Sequence, residues 1–217
     1  MTRSIDEIIS LLKEVVAQLP APVVGMIAET TRDPYRVLIS CILSLRTRDK
    51  VTGEASDRLF TLAETPQKMA SLSVDQIEKA IYPVSFFRNK ARQILSLSQE
   101  LLQRYNGKVP ENLDQLLILP GVGRKTANLV LTIAFGKYGI CVDTHVHRIS
   151  NRIGLIKTKT AEESEMALYA KLPKRYWMTY NDILVPYGQF ICRPISPYCS
   201  RCKISRFCYK VGVTTSR

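Results

Sequence analysis

The sequence predicts an all-α protein, and three observations predict it. Apolar residues recur at helical spacing along most of the chain. Helix-start signals built on Ser, Thr or Asp precede those periodic runs. Only "YGICVD", Tyr138 to Asp143, reads even weakly as extended. Connectors are short, and the sequence contains no repeat and no low-complexity linker.

The elements follow in order. Ile5, Ile8, Ile9, Leu12, Val15, Val16 and Leu19 form one helical stripe, which Pro20 and Pro22 end. In "DPYRVLISCILSL" Asp33 is placed as an N-cap and Pro34 at the first helical position, with Val37, Leu38, Cys41, Ile42 and Leu45 as the buried stripe. "SVDQIEKAI" carries a capping box from Ser73 to Gln76. A long helix through Ala91, Ile94, Leu101 and Leu102 stops at Asn106-Gly107. A second capping box is expected from Thr160 to Glu163.

Composition limits what such a chain binds. Its 217 residues, 46% hydrophobic, suffice for one large domain or two small ones with real cores. Lys and Arg number 31 against 19 acidic residues, a net charge of +12, and that excess favours a polyanionic partner such as nucleic acid. The opening "MTRSIDEIISLLKEVVAQLP" has acids at Asp6 and Glu7 and no unbroken apolar core. It therefore reads as neither a secretion signal nor a transit peptide. No apolar run approaches the roughly twenty residues of a membrane span, so no membrane partner and a cytoplasmic location are expected.

Two segments carry chemistry. "LPGVGRKTANLVL", Leu119 to Leu131, looks like a phosphate-binding loop entering a helix, but Arg124 separates Gly123 from Lys125, so the nucleotide-binding P-loop spacing fails. What remains is a turn with Gly121 and Gly123 that feeds a helix N-terminus, an anion site made of backbone N–H groups. The second segment is "CRPISPYCSRCKISRFC". Cys192, Cys199, Cys202 and Cys208, separated by six, two and five residues, form a ligand set, whereas Cys41 and Cys141 stand alone in apolar settings and read as core residues. A disulfide framework suits a short secreted chain, not this one. Spacing alone leaves zinc and an iron–sulfur cluster both open.

"LPGVGRKTAN", then "VDTHVHRI", then the six-two-five cysteine segment occur in order, and together they resemble the endonuclease III family, DNA glycosylases with AP-lyase activity. The similarity extends over nearly the whole chain. It implies the helix–hairpin–helix glycosylase fold, two helical domains with the DNA cleft between them. A central domain would span residues 26–137, its hairpin near 113–134, and a terminal domain would combine 1–25 with 138–217. It also implies a 4Fe-4S cluster on Cys192, Cys199, Cys202 and Cys208. The expected partner is double-stranded DNA carrying damaged bases or abasic sites, bound by a monomer associated with the nucleoid.

The resemblance also assigns roles. Lys125 corresponds to the amine that displaces the base and forms a Schiff base, which allows β-elimination of the 3′ phosphate; the amine must be neutral to attack. Asp143 corresponds to the catalytic aspartate, able to stabilise positive charge on the sugar; as a sequence feature it reads equally as the N-cap of the next helix. The turn residues Gly121, Val122, Gly123 and Arg124 would meet the DNA backbone, and His145 would lie in the cleft. Arg193, with Arg201, Lys203 and Arg206 after it, would touch phosphates or form a solvated basic face.

Two positions leave the better-known pattern. Arg46, in "ILSLRTRD", stands where many members have glutamine. Phe86, in "VSFFRNKA", stands where relatives carry an aliphatic wedge residue. Phe86 is expected either to wedge the duplex or, with Phe87, to pack a helix start, and the core reading is favoured for Phe87. Arg46 is expected either to contact the unpaired base or backbone, or to end its helix paired with Asp49 or Glu54. The function expected is removal of oxidised pyrimidines followed by strand cleavage. The rivals are a mismatch glycosylase of the same fold and a non-catalytic helix–hairpin–helix DNA-binding protein.

Overall fold

The structure is a computed structural model that describes residues 4–217. Among these residues it holds twelve α-helices and no strand. "YGICVD" is a connector outside any strand, and its extended look comes from burying Ile140, Cys141 and Val142. Among the described residues no helix is long and apolar enough to cross a membrane.

The chain divides into two units: one takes the segment up to Pro22 together with Tyr138–Arg217, the other Val23–Lys137. The first division falls after Pro22 and not after residue 25, because α2 begins at Val23 and buries Val24 and Ala28 in the second unit's core.

In the first unit α1 (Ile5–Val16) buries Ile8, Ile9 and Leu12, and it carries Asp6 and Glu7 in its first turn and Lys13 in its last, the order that suits the helix dipole. The second unit is organised around α3 (Pro34–Ser44). Asp33 caps it, its carboxylate accepting from Tyr35 N at 2.8 Å, and Pro34 opens it. Tyr35 and every residue from Val37 to Leu43 are buried, so the helix is covered all round where the sequence suggested a stripe; Leu45 lies beyond its end.

Around α3 stand α2 (Val23–Thr31), α4 (Asp49–Leu62), α7 (Phe87–Tyr105) and α9 (Arg124–Phe135). The short α5 (Pro66–Ala70) and α6 (Val74–Ile81) lie on α7, and α8 (Leu113–Ile118) precedes α9. The Ser73–Gln76 capping box is complete, and α7 ends with Asn106 and Gly107 both in the left-handed region.

The first unit resumes with α10 (Thr144–Arg152), α11 (Ala161–Lys171) and α12 (Tyr180–Phe190), the last packed on α1 and α10. The box at Thr160 is half formed: Thr160 Oγ1 accepts from Glu163 N, but the Glu163 carboxylate accepts from Lys159 N at 2.7 Å and not from Thr160 N. Two short 3-10 turns, Cys199–Arg201 and Ser205–Phe207, shape the loop after α12.

Candidate functional site: a helical hairpin, a capped carboxylate and a four-cysteine cavity

In the second unit, α8 and α9 are joined by the glycine turn. Gly121 has φ +76, and a Cβ there would stand 3.0 to 3.3 Å from Gln93 side-chain atoms, so both conformation and crowding require glycine. Gly123 differs. Its φ is −93, it is the N-cap of α9, and an added Cβ would meet nothing within 4 Å. Nothing inside the protein demands glycine there. Val122 is buried, and its N–H donates to Leu119 O at 3.1 Å, so this member of the turn packs inward and fixes the loop.

Lys125 follows in the first turn of α9, half-buried. Its charge acts on Cys41 of α3, which locates the amine on the α3 side of α9. Burial pushes the Cys41 thiol up to about 12, against a smaller downward pull from Lys125, so Cys41 is no competing nucleophile near neutral pH. One turn beyond Lys125, Asn128 is buried and its amide nitrogen has no hydrogen-bond partner.

Arg46 and Phe86 come together in this same unit. Arg46 (φ +56) sits in the turn between α3 and α4, and Phe86 (φ +58) caps the start of α7; both hold a left-handed backbone that bulky residues rarely adopt. The Arg46 guanidinium carbon lies 5.7 Å from the Phe86 ring centroid, and both side chains face solvent, Phe86 at 60% exposure. Neither Asp49 nor Glu54 pairs with Arg46 among the described residues; Lys50 reaches Glu54 at 4.0 Å. Phe87 packs against the core and against Tyr82, edge to face at 5.4 Å.

In the first unit Asp143 is the N-cap of α10, with Oδ1 accepting from His145 N and Val146 N, both at 2.8 Å. His145 Nδ1 lies 3.1 Å from Arg148 Nη2, and that guanidinium donates onward to Gly188 O and Cys192 O at 3.0 and 2.8 Å. A Cβ at Gly188 would collide with both side chains, so this glycine makes room for them. Arg148 and Gly188 escaped sequence reading because each is explained only by a contact distant along the chain.

The four cysteines of the C-terminal segment are free and line one cavity of about 400 Å³, its solvent mouth included, together with Tyr187, Ile191 and Ile204. Donors surround the sulfurs: Tyr187 Oη lies 3.1 Å from Cys202 Sγ, Arg152 Nη1 donates to Cys192 Sγ at 3.4 Å, and Lys210 N to Cys208 Sγ at 3.3 Å. Burial pushes the Cys202 and Cys208 thiols up, so these thiolates need a cation beside them to persist. Among the described residues no three His, Cys, Asp or Glu side chains converge closely enough to hold a single metal ion. Four free thiols around one cavity are a donor set of the kind that zinc or an iron–sulfur cluster uses.

The basic residues of this loop divide in two. Lys203 and Arg206 form exposed ion pairs with Glu14 at 3.1 Å and Glu7 at 2.7 Å on α1. Arg193, Arg201 and Arg217 gather over the ring of Tyr198, at 5.2, 5.5 and 4.8 Å.

Comparison with known proteins agrees with this geometry. Residues 39–174 match the family described as HhH-GPD superfamily base excision DNA repair protein. The endonuclease III of Thermotoga maritima is 47% identical over 176 residues, 81% of this chain and 83% of that protein. A non-covalent endonuclease III–DNA complex superposes with a TM-score of 0.85 at 33% identity, covering 95% of this chain and 94% of that one. A trapped endonuclease III–DNA covalent intermediate does so at 0.81 and 32% identity, covering 96% and 97%.

Proposed function

This chain belongs to the endonuclease III family of HhH-GPD base excision repair proteins, and from that premise we propose that it is a bifunctional DNA glycosylase and AP lyase acting on oxidised pyrimidines. The observation that carries the reading is the hairpin: a glycine that neither its φ nor any neighbouring atom requires, followed within two residues by a half-buried lysine. A phosphate oxygen approaching the N-terminus of α9 needs the space that a Cβ at Gly123 would fill, and helix N-termini attract such anions. Gly121 shapes this contact, Val122 fixes it from inside, and Arg124 supplies charge beside it.

Lys125 attacks C1′ of a nucleotide turned out of the stack. The C1′–N bond breaks and the base leaves with its electron pair. The attached nitrogen gives up one proton, the C1′–O4′ bond opens with O4′ taking up a proton, and the iminium so formed acidifies the neighbouring C2′–H, whose loss expels the 3′ phosphate. Asp143 stabilises positive charge on the sugar and accepts a proton, held in one orientation by the two N–H groups it caps. His145 and Arg193 contribute DNA contacts. Phe86 enters the base stack as a wedge, and Arg46, stacked on it, meets the base left unpaired, where its donors match guanine O6 and N7.

Cys192, Cys199, Cys202 and Cys208 would hold a 4Fe-4S cluster, and their four thiolates would tie down the loop that carries Arg193 and Tyr198, a structural contribution and not a catalytic one. A structure similar to this chain is a trapped endonuclease III–DNA covalent intermediate, and a covalent protein–DNA bond is what an amine nucleophile would make. Incubation with a thymine-glycol duplex and with an abasic duplex tests the assignment: the first should lose its damaged base, and each duplex should be nicked by β-elimination in the damaged strand alone. Base loss without nicking would point to a monofunctional glycosylase.

A further inference from the structure

Lys90 is buried, 4% exposed, and lies one turn into α7, where its own N–H donates to Phe86 O at 3.0 Å. Its ammonium reaches out of α7 to the end of α3. It donates to Leu43 O at 2.9 Å, Leu45 O at 2.6 Å and Thr47 Oγ1 at 3.3 Å, which uses all three of its hydrogens. These acceptors bracket Arg46. Thr47 Oγ1 also accepts from Ser85 N at 3.2 Å, next to Phe86. One amine and one hydroxyl thus join the turn bearing Arg46 to the turn bearing Phe86, the two exposed positions of this unit where a bulky side chain is held at positive φ and stacked on the other.

Left-handed backbone at such residues persists only where the surroundings over-determine it. At Arg46 the surroundings are the three acceptors of Lys90, the Thr47 N–H to Ser44 O bond at 3.0 Å and the Phe86 ring. Lys90 is too buried to touch DNA, so any effect it has on recognition passes through those two turns.

We propose that Lys90 is a positioning residue that locks the Arg46 and Phe86 turns into one rigid probe, so that wedge and base reader are presented to the duplex together. The proposal rests on the reading of Arg46 and Phe86 given above. It assigns Lys90 to recognition of the base opposite the lesion, a role its burial conceals. A lysine that merely capped α3 would contribute to folding and leave that selectivity alone.

The experiment compares wild type, Arg46→Gln, Lys90→Met and the double variant as cluster-loaded full-length protein. Single-turnover excision of thymine glycol is measured opposite each of the four bases. Lys90→Met keeps the length of the side chain and removes its donors. It should flatten the opposite-base profile by about the factor that Arg46→Gln does, roughly 5- to 150-fold, and the double variant should lose no more than either single one. A folded Lys90→Met protein that keeps the wild-type profile overturns the inference, as does a double variant whose losses multiply. An Arg46→Gln protein with an unchanged profile removes the Arg46 reading and the inference with it, whereas a response to Arg46→Gln that Lys90→Met does not share removes the inference alone. Thr47→Val, which deletes the hydroxyl shared by Lys90 and Ser85 N while leaving the two carbonyl bonds, decides the matter if Lys90→Met does not fold. It should flatten the profile too, and an unchanged profile in it overturns the link.

Discussion

Adding a single methyl group at Gly123 separates what the hairpin does for the fold from what it does for DNA. The residue has φ −93 and ψ 174, backbone that alanine adopts freely, and its new Cβ would meet no protein atom within 4 Å. Two small effects on stability then oppose each other. Alanine caps a helix less well than glycine, by on the order of 0.5–1 kcal/mol, while its less flexible unfolded chain returns about 0.4–1 kcal/mol. The net change in stability should lie within about 0.5 kcal/mol of zero. At the phosphate the methyl group stands where the anion would approach the α9 N-terminus, and losing one hydrogen bond to a charged group costs about 1.5–3 kcal/mol. Affinity for a duplex with a reduced abasic site should therefore fall roughly 10- to 150-fold. Its salt dependence should change little, because no lysine or arginine is removed. Denaturant unfolding and a binding titration at several salt concentrations measure the two quantities. Gly121→Ala is the control, costing about 1–2 kcal/mol of stability from its φ of +76 alone. Wild-type affinity in Gly123→Ala, or a loss no larger than its loss of stability, would refute the phosphate-approach argument.

Three further outcomes are expected. Asp143→Asn keeps an acceptor for His145 N and Val146 N, so melting temperature and DNA affinity should hold while base excision slows by on the order of 10²–10³-fold; equal losses in binding would return Asp143 to a purely capping role. Burial holds the Lys90 amine at about 8, below the 10.5 of an exposed lysine, so between those values the unfolded chain binds more proton than the folded one. Wild-type stability measured against Lys90→Met should therefore rise from about pH 8 to about pH 10.5, with Cys41 and the buried tyrosines cancelling in the difference; a flat difference would show that the three hydrogen bonds keep the charge in place. Anaerobically purified protein should be brown and contain about four irons per chain, and colourless protein with stoichiometric zinc would contradict the cluster.

Much of this was legible in the sequence where the signal is local. Asp33-Pro34, the Ser73–Gln76 box and Asn106-Gly107 all act within one helical turn, and each helix starts or stops where its residues indicate. The four cysteines lie close enough along the chain to read as one set, and the structure gathers them around one cavity. What escaped depends on partners far away in sequence. Lys90 looks like a surface lysine until α3 is laid against α7, and the pairing of Arg206 with Glu7 of α1 joins residues far apart along the chain. Arg46 and Phe86 were singled out by type, but their shared left-handed backbone contradicts local preference and exists only because neighbouring elements impose it. Thr160 was read as a full box because spacing is all a sequence shows, whereas the Glu163 rotamer chose Lys159 N.

The central claim, an amine nucleophile at the start of α9, meets its most direct test in borohydride trapping on an abasic or thymine-glycol duplex, with the cross-linked peptide sequenced by mass spectrometry. The account predicts a covalent protein–DNA adduct whose modified residue is Lys125, absent in a Lys125→Gln protein that still binds the duplex. Undiminished trapping in Lys125→Gln, or an adduct mapped to another amine, would contradict it.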